Sequence, residues 1–254
     1  MAEKRIVGII PCRMGSTRFP GKPLAAILGR PMVEHVYKRA ARSTALSRVL
    51  VATDSEEIKD AVEAFSGEAV MTKPDHPSGT DRVAEAAEGI DADIIVNIQG
   101  DEPALAPEII GQAVGPLLDD NAIVMSTLVR RITDPDELID DRLAKVALAA
   151  NGDALYFSRG PVPFSRGGAG SIDLQTTPCY RHIGLYVFRR DFLFTFTTLP
   201  PSHLELVEGL EMLRALENGY PIRTVLTTND SHGVDTPEDI PKVEAILKTR
   251  GDSL

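Results

Sequence analysis

Three short runs of aliphatic, largely β-branched residues mark the first half of the chain: 5–10 (RIVGII), 48–52 (RVLVA) and 93–98 (DIIVNI). Each ends in polar or glycine-bearing turn residues, the pattern of strands buried on both faces of a parallel sheet. Between and around them, 32–42, 56–65 and 82–88 repeat apolar residues at helical spacing. The first ~110 residues therefore predict βαβαβ, with ligands at the carboxyl ends of the strands. From 143 to 188 the pattern predicts strands over 144–148, 154–157 and 183–188, around a loop over 160–178 rich in glycine, serine and proline that suits a lid or a subunit contact. Leu204, Val207, Leu210 and Leu213 form an apolar stripe on one helix. A last helix opens at Thr236-Pro237-Glu238-Asp239, with a capping residue, proline at the first helical position and acids in the first turn.

Composition narrows the possible partners. Of 254 residues, 43% are hydrophobic and 25% charged, the balance of a globular chain able to bury a core without disulfide or metal staples. With 27 basic against 37 acidic residues the net charge is -10, which argues against a nucleic-acid or anionic-membrane surface and directs the search to a local basic site. Cys12 and Cys179 are too few for a disulfide framework or a thiolate metal cage, so a reducing cytoplasm is expected. No run reaches the roughly 18 apolar residues of a membrane span, and the apolar run 6–10 is shorter than a signal peptide core.

The local basic site follows the first strand. Residues 10–24 (IPCRMGSTRFPGKPL) gather Arg13, Arg18 and Lys22 with Gly15, Ser16, Thr17 and Gly21. Glycines let backbone N–H groups face a polyphosphate, and the cations neutralise its charge and that of a departing diphosphate. The spacing is neither Walker A nor GxGxxG, and a solvated turn with incidental cations is the lesser alternative in this strand-loop-helix context. NIQGDEP (97–103) sets Asp101 where a glycine turn leaves the most apolar strand, and GVDTPED (233–239) sets Asp235 at another junction before a helix. Two such carboxylates suit Mg²⁺, which takes one or two acids plus substrate phosphates, although Asp235 is equally placed as a helix cap. HPSGTDR (76–82) offers hydroxyls, N–H groups and a guanidinium to a base or ribose, or simply caps the next helix. Thr53 and Asp54 end the second strand nearby, with Asp54-Ser55 also in position to cap a helix. ALYFSR (154–159) and RHIGLY (181–186) each join apolar strand residues to a cation, and the Arg159 guanidinium suits a carboxylate. A lone histidine such as His182 is more often a core or edge residue than a catalyst. Glu205, Glu208 and Glu211 recur every three residues, along one helical face beside the stripe, where solvated charge is the plain alternative.

Together these motifs carry a resemblance. The 10–24 loop resembles the signature loop of the sugar nucleotidyltransferases, in the form found among cytidylyltransferases for 3-deoxy-manno-octulosonate (Kdo). The other motifs agree with it in order, from residue 5 to about 246. The resemblance implies an α/β fold with a Rossmann-like mixed sheet flanked by helices, of the nucleotide-diphospho-sugar transferase type. It implies one cytidylyltransferase domain over 1–254, with a nucleotide-binding part over 1–130, a smaller sugar-binding and dimerisation part over 131–220, and a return to the main sheet with the C-terminal helix over 221–254. The implied reaction moves CMP from CTP to the anomeric hydroxyl of Kdo, releasing diphosphate, for lipopolysaccharide biosynthesis. Arg13, Lys22, Asp101 and Asp235 take the catalytic roles, with Mg²⁺ on Asp101 and Asp235. Nucleotide contacts fall on Arg13, Gly15, Ser16, Thr17, Arg18, Lys22, Thr53, Asp54, Ser78, Gly79, Thr80, Arg82 and Asp101. Sugar contacts fall on Gln99, Arg159, His182, Tyr186 and Glu211. A cytoplasmic homodimer is implied.

Two departures bear on the sugar. Met212 stands where the family commonly has Gln, and DRLAKV (141–146) replaces the usual N-P-N-x-V-K-V, keeping only the Lys-Val core. Another acidic sugar, such as 8-amino-Kdo or a sialic acid, is the alternative within the same chemistry. A nucleotide-binding protein without turnover is the alternative outside it.

Overall fold

The computed structural model describes residues 4–15, 18–230 and 232–250. Along the chain these form β1 (Ile6–Cys12), β2 (Ala26–Ile27), β3 (Arg30–Pro31), α1 (Met32–Ala40), β4 (Arg48–Thr53), α2 (Glu56–Ala64), β5 (Ala69–Met71), α3 (Gly79–Glu88), β6 (Ile94–Ile98), α4 (Glu108–Asp119), β7 (Met125–Arg131), α5 (Pro135–Ile139), β8 (Lys145–Leu148), β9 (Ala154–Ser158), β10 (Tyr180–Arg189), α6 (Arg190–Thr198), α7 (His203–Glu208), α8 (Leu213–Glu217), β11 (Arg223–Thr227) and α9 (Ile240–Thr249). Two compact units result: Met1–Gly111 with Ser231–Leu254, and Gln112–Asp230.

The first unit is the α/β part. Its strands run parallel in the order β6-β1-β4-β5. Ile9, Ile10, Leu50, Val51, Ile94, Ile95 and Val96 are wholly buried in that sheet, as continuous apolar runs require. The chain steps outward from β1 to β4 to β5 and then returns across to β6. Right-handed crossovers accordingly put α1 and α2 on one face and α3 on the other. The reversal of direction between β1 and β6 is a switch point, where the loops leaving two neighbouring strands diverge and open a crevice. Gly100 holds the two loops together just past β6, since a Cβ there would lie 2.9 Å from both Cys12 Sγ and the Pro11 carbonyl. Helix α9 closes the unit by burying Val243 and Leu247 against Ile27, Met32, Ala104 and Val234. Its entry is a short 3₁₀ turn, Pro237–Asp239, in which Thr236 and Asp239 form a reciprocal cap.

In the second unit β7 pairs parallel with β11 and antiparallel with β10, and β8 joins β10 to β9 by antiparallel pairs. Because β7 and β11 pair with each other, this unit runs from 112 to 230, wider than the 131–220 read from the sequence. A bulge interrupts the β10–β7 ladder between Ile183 and Tyr186. There the Thr127 hydroxyl donates to the Leu185 carbonyl at 2.8 Å, satisfying a group the bulge leaves out of the ladder.

One expected element is corrected. The stripe Leu204, Val207, Leu210 and Leu213 does not lie on one helix, because α7 ends at Gly209 in the left-handed region (φ +63°) and α8 begins only at Leu213. Val207 is 70% exposed, whereas Leu210 and Leu213 are buried. Nor do the three glutamates share a face. Glu205 is buried in a two-pronged pair with Arg214, at 2.8 and 2.6 Å. Glu208 turns to β9, accepting from the Tyr156 and Ser158 hydroxyls and the Arg159 N–H at 3.1, 2.8 and 2.9 Å.

Candidate active site

A cavity of about 310 Å³ opens at the switch point of the first unit. The loop after β1 supplies Arg13, Arg18 and Lys22, and the loop after β6 supplies Gln99, Gly100 and Asp101. The segment before α3 supplies His76, Ser78 and Gly79, with Arg82 on the helix itself. The β1 loop folds back through the Gly21 N–H, which donates to the Met14 carbonyl at 3.1 Å, and the 3₁₀ turn Lys22–Leu24 then directs Lys22 inward. The predicted Gly15 sits exposed on this loop, while Ser16 and Thr17 lie outside the described residues.

Lys22 organises the charge. Its ammonium donates to Asp101 Oδ2 at 2.7 Å and to the Val234 carbonyl at 3.0 Å, and it stands 4.0 Å from Asp235 Oδ1. Arg18 reaches the same Asp235 oxygen at 3.0 Å. The Val234 N–H donates to the Asp101 carbonyl at 2.9 Å, which ties GVDTPED to NIQGDEP and brings together two acids 134 positions apart by their numbers. Asp235 is not the helix cap its local sequence allows: the reciprocal Thr236–Asp239 pair caps the turn, with Asp239 accepting from the Asp235 and Thr236 N–H groups at 2.9 Å each. Cys12 also lines the cavity. Burial, reinforced by the charge of Asp101, pushes its thiol up to about 12, so it stays neutral there.

Several predicted nucleotide residues stand behind the cavity rather than in it. Thr53 is fully buried and accepts from the Ser55 N–H at 3.2 Å. Asp54 pairs with Arg82 at 3.4 Å, and Arg82 also donates to the Thr72 hydroxyl at 2.6 Å. Ser55, not Asp54, caps α2. Thr80 is buried and accepts from Asn97 Nδ2 at 3.1 Å, while Gln99 Nε2 approaches Asn97 Oδ1 at 3.4 Å. Thr53, Asp54 and Thr80 therefore brace the wall, and Ser78, Gly79 and Arg82 form its surface. His76, unassigned from the sequence although HPSGTDR begins with it, belongs to that surface too.

In the second unit His182, Tyr186 and Arg159 are held by dense local contacts. The Thr127 hydroxyl spends its proton on the Leu185 carbonyl, so His182 Nε2 carries a hydrogen and donates to Thr127 Oγ1 at 2.8 Å. The ring lies 5.4 Å from Phe157, edge-on, and 5.2 Å from Tyr186. Although part of the residue meets solvent, burial of the ring pushes its pKa down to about 3, leaving a neutral imidazole. Burial pushes the Tyr186 hydroxyl up, and the charge of Glu211 adds to that, which locates Glu211 near Tyr186. Arg159 donates from Nε to the Glu208 carbonyl at 2.9 Å and from one terminal nitrogen to the carbonyls of Asp141 and Arg142 at 3.0 and 3.3 Å. Its other terminal nitrogen has no partner among the described residues. Lys145, the retained core of the 141–146 segment, is completely buried and donates to the Asp140 and Leu143 carbonyls at 2.8 and 2.7 Å and to that of Arg159. Lys145 and Glu208 thus fix Arg159 from two sides, a role with no local sequence signal. Gln99 belongs to the first unit, where it lines the cavity on the loop after β6.

The chain resembles known proteins over nearly its whole length. The family described as cytidylyltransferase matches residues 7–228. A 3-deoxy-manno-octulosonate cytidylyltransferase of Solibacter usitatus is 50% identical over 245 residues, 96% of this chain and 95% of that protein. Another, of Syntrophotalea carbinolica, is 51% identical over 246 residues, 96% of this chain and 98% of its own. A solved structure of CMP:2-keto-3-deoxy-manno-octonic acid synthetase complexed with CTP matches with a TM-score of 0.90 at 40% identity, covering 97% of this chain and 99% of that one.

Proposed function

The chain belongs to the cytidylyltransferase family, and from that premise we propose that it transfers CMP from CTP to the anomeric hydroxyl of Kdo, the activation step that supplies this sugar for lipopolysaccharide. The 2-hydroxyl oxygen of Kdo attacks the α-phosphorus, the bond from that phosphorus to the bridging oxygen of the β-phosphate breaks, and diphosphate leaves. The hydroxyl proton passes to solvent. One observation carries the reading: a cavity at the switch point of a parallel sheet, with Lys22 held between Asp101 and Asp235 and with Arg13 and Arg18 on the same loop.

The work of the chain is positional and electrostatic. Arg13, Arg18 and Lys22 meet the phosphates and offset the charge that grows on the departing diphosphate. Asp101 and Asp235 already converge on one cation, the Lys22 ammonium, and their hard oxygen donors would hold Mg²⁺. When bound, that ion draws charge from the phosphate oxygens and makes the α-phosphorus more electrophilic. Arg159, with a terminal nitrogen to spare, receives the Kdo carboxylate, and His182, Tyr186, Glu211 and Gln99 take its hydroxyls. A neutral His182 suits hydrogen bonding rather than charge pairing.

The reading includes a homodimer in the cytoplasm. Its two cysteines are free thiols, as a reducing compartment keeps them. Among the described residues no helix is long and apolar enough to cross a membrane.

The test is diphosphate release from CTP with Mg²⁺, comparing Kdo, 8-amino-Kdo and a sialic acid, with EDTA as control. Release with Kdo that EDTA abolishes is expected. Lys22→Ala should lower turnover by about 10²–10³ while the chain stays folded. Normal turnover in that variant would show the loop assignment to be wrong. Preference for another sugar would move the substrate and keep the chemistry, whereas CTP binding without release for any sugar would leave a nucleotide-binding protein.

A further inference from the structure

The wall formed by residues 76–82 carries a polar atom that the fold does not use. Ser78 is committed to its helix, accepting from the Asp81 N–H at 3.2 Å and donating to the Asp81 carboxylate at 2.7 Å. Arg82 is tied to Thr72 and Asp54. His76 bonds through Nε2 to the Glu85 carboxylate, nearly two turns into α3, and Glu85 also accepts from the Lys73 N–H at 2.9 Å. Burial would raise the Glu85 carboxyl, but the bonds from His76 and Lys73 outweigh it and hold the group low, so it stays ionised. An ionised carboxylate has no proton to give. The hydrogen of this bond therefore sits on His76 Nε2, and in the neutral ring Nδ1 is left as an acceptor with no partner among the described residues.

His76 lines the cavity, whereas the cations and carboxylates suited to phosphates belong to the loops after β1 and β6 and to the segment 233–239. With the triphosphate on those loops, the 76–82 wall meets the nucleoside. An acceptor there needs a donor, and a cytidine nucleotide has two kinds: the 4-amino group of the base and the ribose hydroxyls. We infer that His76, held with its hydrogen on Nε2 by Glu85, accepts a hydrogen bond from the nucleoside of the substrate, and that the pair helps select the nucleotide. His76 touches the substrate, and Glu85 is a positioning residue that acts through it. The inference rests on the reading that this cavity takes CTP.

The full-length chain is assayed for diphosphate release with Kdo and Mg²⁺, using CTP, UTP and dCTP. In His76→Gln the amide keeps a donor for Glu85 and removes Nδ1. The expected result is a KM for CTP raised about tenfold with kcat within about twofold. A matching fall in the CTP:UTP ratio of kcat/KM assigns the base amino group as the donor, and a fall in the CTP:dCTP ratio assigns the ribose hydroxyl. Glu85→Gln, whose amide can itself donate to Nε2 and so allow the hydrogen on Nδ1, should reproduce the KM effect with His76 intact, which a bracing role for Glu85 would not do selectively. Long-range proton–nitrogen spectra of the wild-type chain, with only 5 histidines to assign, provide a readout independent of turnover and of the variants. They should show His76 in the Nε2–H form with its Nδ1 resonance displaced by CTP. An Nδ1 resonance unmoved by saturating CTP, or unchanged KM and ratios in both variants, overturns the inference. Bound CTP without turnover would instead fault the proposed reaction and leave the role of His76 to be decided by the spectra.

Discussion

His182 couples the second unit to pH. Its unfolded value is the ordinary 6.5 and its folded value is about 3, because the ring sits among Phe157 and Tyr186 with its one hydrogen committed to Thr127. As pH falls below 6.5 the unfolded chain takes up a proton that the folded chain refuses. The stability His182 contributes is thus complete above 6.5 and is lost progressively as pH falls toward 3. Between pH 7.5 and pH 5 the wild-type chain should lose more urea stability than His182→Gln, by at most about 2 kcal/mol. Parallel losses in the two proteins would mean the imidazole is solvated. Other residues of the site differ in how far their roles could be read from sequence. Arg13, Arg18, Lys22 and Asp101 are visible as rare cations and an acid beside glycine turns. That Lys22 bonds Asp101 across 79 residues is set by the pairing of β1 with β6 and leaves no local trace. Glu208 looks like surface charge because its partners, Tyr156 and Ser158, lie on another element.

Gly209 decides the shape of the segment that carries Glu205, Glu208 and Glu211. Helical periodicity of leucines predicts one helix from 204 to 213, but a residue at φ +63° ends α7 and turns the chain before α8. The two arrangements give opposite signs for one substitution. In a continuous helix Gly209→Ala would stabilise by about 1 kcal/mol, through helix propensity. In the observed left-handed turn it should destabilise by about 1–2 kcal/mol, a backbone cost, since a Cβ there meets nothing closer than Arg159 Nε at 3.9 Å. Urea unfolding of this variant reads the sign directly. The buried parallel strands were the most legible elements, because β1, β4 and β6 are nearly unbroken aliphatic runs. Strands β7 (MSTLVRR) and β11 (RTVLT) carry no comparable aliphatic run, being short mixtures of apolar residues with threonine, serine and arginine. What makes them strands is their pairing with each other, a tertiary fact.

At the scale of the molecule, a net charge of -10 and a loop of three cations are compatible because the cations are local and partly neutralised by Asp101 and Asp235. The same scale shows where apolar surface remains uncovered. Leu155, Phe164, Leu206 and Val207, all in the second unit, are 63%, 76%, 70% and 70% exposed. Leu155 lies on β9, whose one strand partner among the described residues is β8, and α7, bearing Leu206 and Val207, is fastened to β9 through Glu208. Exposed leucines beside a sheet edge are a liability unless another surface covers them. A second copy of the chain is the partner proposed above, and a two-fold interface would place each of these residues in the contact twice, so that one substitution acts on both halves. Light scattering on the chain at micromolar concentration should give about twice the 27.5 kDa of one copy. Leu206→Glu with Val207→Glu should return the mass to that of one copy, while the α/β unit, with its Lys22, Asp101 and Asp235 cluster, still binds CTP. A wild-type mass of one copy throughout that range would mean that this face is simply solvated and that the reaction needs no partner subunit.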